Sequence, residues 1–135
     1  MKKQTTMVLA ISALMLAGCG QPSVPKAEAN YCKDLVALKQ ALVELANITP
    51  NSKVGDVKKA QANVDKALAN LKTSTADVKE AKVDAVEKAY DDLDKTIKKI
   101  PNRDTLAQAA ATVKPKVDAV EAARAQLQTQ VNCNP

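Results

Sequence analysis

Histidine, phenylalanine and tryptophan are absent from the 135 residues, and glycine occurs only three times. Without histidine, the chain lacks the side chain that most often acts as a general acid or base and as a zinc ligand. No serine or threonine lies in a glycine-rich nucleophile turn, and no two carboxylates can be placed across a cleft. The sequence therefore predicts a protein that is not an enzyme and that holds no metal or cofactor.

The sequence contains two aromatic residues, Tyr31 and Tyr90. We expect both to pack in the interior of the fold rather than to bind a partner. A domain built on Ala, Val, Leu and Ile forms slender, closely spaced helices rather than a wide core with a ligand pocket. The chain has only two arginines, Arg103 and Arg124, and its lysines are interleaved with Asp and Glu. Nucleic-acid binding, which uses basic patches and stacking aromatics, is disfavoured, and no small-molecule substrate is evident.

The N-terminal segment has the three parts of a secretory signal peptide. Lys2 and Lys3 precede an apolar run from Met7 to Ala17, and small residues lead from there to Cys19. The apolar run is much shorter than the roughly 20 residues that a helix needs to cross a bilayer. The pattern therefore predicts export without a transmembrane anchor.

The run Leu16-Ala17-Gly18-Cys19 resembles the lipobox of bacterial lipoproteins. The resemblance implies that residues 1–18 are removed by cleavage between Gly18 and Cys19, and that Cys19 carries acyl chains such as palmitate. Each buried methylene contributes about 0.8 kcal/mol, so two or three chains would anchor the protein to a membrane essentially permanently. The implied location is the cell envelope: the outer membrane, facing the periplasm, in a Gram-negative cell, or otherwise the outer face of the plasma membrane.

Residues 19–30 contain two prolines and no apolar periodicity, which predicts a flexible tether, and residues 31–135 are predicted to form one helical domain. A lipidated cysteine followed by a heptad helix is similar to the layout of the major murein lipoprotein. That protein is a single helix without a disulfide and ends in a lysine linked to the cell wall, whereas this chain ends in Pro135. Wall attachment and trimer formation are therefore not inferred.

Two cysteines, Cys32 and Cys133, remain once Cys19 is assigned to the lipid. In an oxidising compartment an even number of cysteines indicates disulfide bonding. Closing a loop of about 100 residues stabilises a fold by up to about 4.7 kcal/mol in the chain-entropy model. Two free thiols, an intermolecular bridge or a metal pair are the alternatives, and the metal pair lacks its usual histidine partners.

Apolar residues at spacings of three and four predict an all-α fold. Segment 31–48 ends before Pro50, and segment 103–131 contains Pro115, where we expect a kink rather than a break. Segment 53–99 keeps one heptad phase through Thr73-Ser74-Thr75 and predicts one long helix, although a turn at Ser74 stays possible. The residues of the three seams are Leu35, Leu38, Leu42 and Leu45; Val57, Val64, Leu71, Val78, Val86, Leu93 and Ile100; and Leu106, Ala110, Val113, Val117, Val120, Arg124, Leu127 and Val131.

A disulfide between Cys32 and Cys133 restricts how these helices can be arranged. In the arrangement we favour, an antiparallel bundle or coiled coil, the two shorter helices lie end to end along one long central helix, and their summed length matches it. In the alternative, a turn near Ser74 gives an up-down-up-down four-helix bundle with both cysteines at one end.

Two charged clusters have plain explanations. Asp91, Asp92 and Asp94 could suggest Ca²⁺, but their side chains diverge on a helix and no calcium-loop glycine follows, so we interpret them as a solvated face. The recurring lysines keep the helices soluble and pair with acids one turn away; they are Lys58, Lys59, Lys79, Lys82, Lys98, Lys99, Lys114 and Lys116.

The sequence thus predicts a non-enzymatic envelope lipoprotein that acts as a helical spacer or a protein-interaction module. The alternative is a small disulfide-stapled binding or inhibitor lipoprotein that captures an exported protein, a toxin or a phage factor. That alternative predicts an exposed apolar patch larger than a few hundred Å². A third possibility, association with a lipid surface, requires the lysines to cluster on one side, and their interleaving with acids argues against it.

Overall fold

The structure is a computed structural model that describes residues 24–79, 81–101 and 106–133. These ranges contain four α-helices and no β-strand, which confirms the predicted all-α fold. The helices are α1 (Val24–Ala46), α2 (Val54–Thr75), α3 (Asp84–Lys98) and α4 (Leu106–Gln130). Gly18 and Cys19, to which signal cleavage and lipid were assigned, lie outside the described residues.

Successive helices alternate in direction. Leu45 at the end of α1, Val57 near the start of α2, Ile100 after α3 and Leu106 at the start of α4 line one common pocket. We call this the loop end of the bundle. At the opposite end, which we call the disulfide end, Cys32 of α1 is bonded to the cysteine that follows α4. The arrangement is the up-down-up-down four-helix bundle that the sequence left as the alternative.

The prediction of one long central helix over residues 53–99 was wrong. The stretch is divided into α2 and α3. The two helices are antiparallel, because Gln61 near the start of α2 contacts Asp94 near the end of α3, and Lys72 near the end of α2 contacts Glu87 near the start of α3. The division has a local cause, because the hydroxyls of Thr73, Ser74 and Thr75 donate to the carbonyl oxygens of Ala69 and Leu71 at 2.6–3.1 Å. Such side-chain bonds compete with the helical ladder and, added to modest helix propensities, end α2.

The seven-residue spacing of apolar residues continues from α2 into α3 because a residue of the connecting loop lies at the expected position. Val78 lies between the two helices, yet only 4% of its surface is exposed. The amide of Val78 donates to the Thr75 carbonyl, and that of Ala81 donates to the Val78 carbonyl, which forms two tight turns. An apolar residue at the expected spacing therefore predicted burial correctly and helix continuity wrongly.

One hydrophobic core receives side chains from all four helices, and the predicted seams supply most of it. Leu38, Val64, Leu93 and Val120 are fully buried, and Tyr31 is the largest buried side chain. The predicted seam residues that stay partly exposed lie near helix ends or loops: Ile100, Ala110 and Val131. The described core consists of aliphatic side chains and the two tyrosines, because the sequence contains neither Phe nor Trp.

The first helix begins earlier than predicted. It starts at Val24, so residues 24–30, which were predicted to belong to the flexible tether, are helical, and Ala27 lies in the core. Pro25 is compatible with this start because its missing N–H falls in the first turn, where no helical partner exists. In α4 the helix continues through Pro115 without a break.

Candidate functional site

The predicted disulfide between Cys32 and Cys133 is present, with 5.4 Å between the two Cα atoms. The end of α4 explains how Cys133 reaches α1. Asn132 adopts a left-handed φ of 53°, which asparagine tolerates better than most residues. The amide of Cys133 then donates to the Gln128 carbonyl at 3.1 Å, and that of Asn132 donates to Thr129, which is a Schellman motif. This turn folds the cysteine back toward α1.

Arg124 extends the polar contacts of the disulfide end into the bundle. Only 4% of its surface is exposed, and its guanidinium donates two hydrogen bonds to the Glu121 carboxylate, at 2.7 and 2.8 Å. A third bond, at 3.0 Å, goes to the side-chain oxygen of Gln128, whose amide nitrogen donates to the Cys133 carbonyl at 3.3 Å. Arg124 is thus connected to the cysteine-bearing turn through Gln128.

A line of polar contacts, which we call the polar seam, joins α2 to α3. Gln61 donates to one carboxylate oxygen of Asp94 at 2.6 Å, and Lys98 bonds to the other oxygen at the same distance. Nearer the disulfide end, Lys72 pairs with Glu87 at 2.6 Å. The hydroxyl of Tyr90 donates to Asp65 between these two pairs. Two antiparallel helices are therefore matched by polar groups along their outer edge.

The two tyrosines are packed, as predicted, but their hydroxyls differ. Burial raises the pKa of Tyr31 to about 12, and its hydroxyl has no hydrogen-bond partner in the part of the chain that the structure describes. Burial also raises the pKa of Tyr90, and the hydrogen bond to Asp65 raises it further because that bond requires the protonated phenol. Both side chains are neutral at physiological pH, and neither is activated for chemistry.

The acidic cluster does not form a metal site in the described ranges. Asp91 and Asp92 are exposed, whereas Asp94 faces α2 and is used by Gln61 and Lys98. No group of three or more potential metal ligands is found among the residues that the structure describes. The three aspartates lie within α3, so the prediction that they belong to a helix is confirmed.

The loop end carries an apolar pocket with a volume of about 60 Å³. Its lining is aliphatic apart from Lys114. Beside it lies a second concavity, which we call the basic cleft, lined by Lys58, Lys98 and Lys99; the two share Ile100. The sequence reasoning missed this site, because its lysines looked like ordinary solubilising residues until the helix ends were brought together.

No helix within the described ranges is both long and apolar enough to span a membrane. Comparison with protein families, with characterised proteins and with solved structures finds no significant match to this chain.

Proposed function

We propose that this chain is a bacterial cell-envelope lipoprotein, anchored through Cys19, that displays a non-enzymatic four-helix bundle as a spacer or protein-interaction module. The observation that carries the proposal is the sequence Leu16-Ala17-Gly18-Cys19 placed behind a positive and then an apolar segment. In this arrangement the acyl chains at Cys19 hold the protein at a membrane outside the cytoplasm.

The geometry of the bundle supports this assignment. The first helix begins at Val24, so few residues separate the proposed anchor from the folded domain. The start of α1 lies at the disulfide end, which would face the membrane, and the loop end would face away from it. A disulfide at the anchored end suits an oxidising compartment and resists fraying of α1 and α4 where the chain is attached.

The alternative of a capture protein with a large apolar binding face receives less support. Among the described residues, the large apolar side chains that are exposed are Val36 and Val43, each at 49%, two turns apart on α1. Two separated valines make a smaller surface than the apolar patches of a few hundred Å² that mark large interaction sites. A smaller and more polar contact fits this surface better.

Metabolic labelling with an alkyne fatty acid in a bacterial host tests the proposal. We expect the wild-type chain to be labelled, and to be digested when protease is added outside intact spheroplasts. The Cys19→Ser variant should carry no label, while a matched variant lacking the other two cysteines, Cys32→Ala/Cys133→Ala, should keep it. An unlabelled wild-type chain, or one protected from external protease, would contradict the proposed anchoring and display.

A further inference from the structure

The pocket at the loop end has an unusual combination of linings. Its wall is formed by aliphatic side chains from three helices and two loops: Leu45, Ile48, Val57, Ile100, Leu106 and Val113. The adjoining basic cleft is lined by Lys58, Lys98 and Lys99, and Lys114 stands at the pocket itself. No carboxylate is among the described residues that line either concavity. An apolar depression is thus bordered by positive charge.

Three described carboxylates on α1, α2 and α3 form bonds within the chain. Asp94 uses one oxygen for Gln61 and the other for Lys98. Asp56 accepts the backbone amide of Lys53 at the start of α2, and Glu44 accepts a hydrogen bond from the side chain of Asn63. None of these carboxylates is among the described lining residues of the two concavities, whereas four lysines are, of which Lys98 is paired with Asp94.

We propose that the pocket and the basic cleft together bind an acidic segment of another protein, with one aliphatic side chain seated in the pocket and flanking carboxylates against the lysines. The proposal rests on the proposed function, because it specifies the partner of the displayed interaction module. The pocket has a volume of about 60 Å³ and an aliphatic lining, which suits one aliphatic side chain.

The chemistry of the lining favours a protein segment over other anions. A membrane-inserting surface projects aromatic or aliphatic side chains outward, whereas this apolar surface is concave and its rim holds no aromatic residue. Lysine supplies a mobile point charge for an anion, and the aliphatic pocket beside the lysines offers an apolar contact that a leucine side chain uses and an inorganic anion does not. Complementary charge also speeds association and selects the partner.

The position of the site fits a partner met away from the membrane. It lies at the opposite end of the bundle from Cys32 and from the start of α1. A chain anchored through its N-terminus would hold this end at the greatest distance from its own lipid surface. The partner would therefore be an exported or envelope protein rather than the anchoring bilayer.

Titration of the purified mature chain, in a neutral detergent, with the probe peptide Ac-EELEE-NH2 tests the proposal. Chemical-shift changes should concentrate at the loop end, and the affinity should fall as salt is raised from about 0.1 M to about 1 M, where the Debye length shrinks from about 10 Å to about 3 Å. The peptide Ac-EEGEE-NH2, which lacks the aliphatic side chain, and the basic peptide Ac-KKLKK-NH2 should bind about tenfold more weakly or not at all.

Two variants and one control locate the site. Lys98→Glu/Lys99→Glu reverses the charge of the cleft, and Ala110→Leu fills the pocket; each should weaken binding of the acidic peptide by about tenfold. The charge-matched control Lys33→Glu/Lys79→Glu, at the disulfide end, should leave binding unchanged. Circular dichroism and the thiol content establish that each variant keeps its helices and its disulfide.

Other outcomes overturn the proposal. Equal affinity for the leucine and glycine peptides would remove the pocket from the interaction. Association with phosphatidylglycerol vesicles that is lost in the cleft variant, without peptide binding, would assign the surface to a lipid instead. The titration needs no acyl chain, so a failure here is distinct from a failure of fatty-acid labelling at Cys19.

Discussion

The hydroxyl of Tyr90 on α3 donates a hydrogen bond to the carboxylate of Asp65 on α2. This contact crosses between the two helices that the heptad pattern had joined into one. Tyr31, the other aromatic residue, is fully buried, and its hydroxyl has no hydrogen-bond partner among the residues described. The two tyrosines therefore allow a direct comparison, in one bundle, of a phenol hydroxyl that is hydrogen-bonded with one that is not.

Removing the two hydroxyls should have opposite effects on stability. Tyr90→Phe leaves Asp65 without its donor, and the free energy of unfolding at pH 7 should fall by about 1 kcal/mol. Tyr31→Phe removes a buried polar group that lacks a partner, so the free energy of unfolding should stay the same or rise. Urea unfolding followed by circular dichroism measures both, and equal losses in the two variants would contradict the hydrogen-bond assignments.

Alkaline pH should destabilise the fold through the same side chains. The folded-state pKa of Tyr31 is raised to about 12 from the ordinary value of 10, so the folded chain holds this proton more tightly than the unfolded chain does. Its contribution is therefore complete below pH 10 and is lost as the pH rises from 10 toward 12. Tyr31→Phe lacks this contribution.

Lysines also titrate in that pH range and affect both proteins equally. The test is therefore the difference in stability between Tyr31→Phe and wild type. The stability of Tyr31→Phe relative to wild type should increase as the pH rises from 9 to about 11.5. A difference that stays constant across this range would show that the phenol is not shielded from solvent.

Truncation of one core side chain and one surface side chain on α1 tests the assignment of faces. Leu38 is fully buried, and Leu38→Ala should lower the free energy of unfolding by about 2–5 kcal/mol. Val36→Ala, on the exposed face two residues away, is the matched control and should change it by less than about 0.5 kcal/mol. Similar effects in both variants would mean that α1 is rotated from the orientation described.

Loss of the disulfide should weaken the bundle without changing its helical content at low temperature. The bond joins residues separated by 101 positions. Cys32→Ala/Cys133→Ala should lower the free energy of unfolding by about 2–4 kcal/mol, mainly because the unfolded chain gains freedom. Reduction of the wild-type protein should reproduce the loss, and a reducing agent should have no effect on the double variant.

The core could be predicted from the sequence because burial follows apolar spacing. Leu35, Leu38, Leu42 and Leu45 were expected on one face of a helix, and all four are buried. The pairing of Cys32 with Cys133 was also predictable, since these two cysteines remained once Cys19 was assigned to the lipobox. Neither inference required knowledge of how the helices are connected.

The connection between α2 and α3 could not be predicted in the same way. Apolar spacing reports which residues are buried and not whether the backbone between them is helical, and Val78 kept the phase from a loop. The sequence feature that indicates the end of α2 is Thr73-Ser74-Thr75, whose three hydroxyls all bond to the preceding turn. In this chain the run occupies the last turn of α2, which ends without glycine or proline.

The polar seam and the loop-end site depend on that missed turn. Gln61 and Asp94 meet because α3 folds back along α2, and they are 33 positions apart in the chain. Lys58 and Lys114, on different helices, border the adjoining cleft and pocket for the same reason. Long-range juxtapositions of this kind leave no periodic signal in a single sequence.

The central claim is attachment through Cys19, and the intact mass of the protein extracted from membranes tests it most directly. The account predicts a chain that begins at Cys19 and carries the added mass of a diacylglyceryl group, with two thiols that are alkylated only after reduction. A chain without added lipid mass, or one that retains residues 1–18, would contradict lipid anchoring and would leave the helical bundle without its proposed attachment to the envelope.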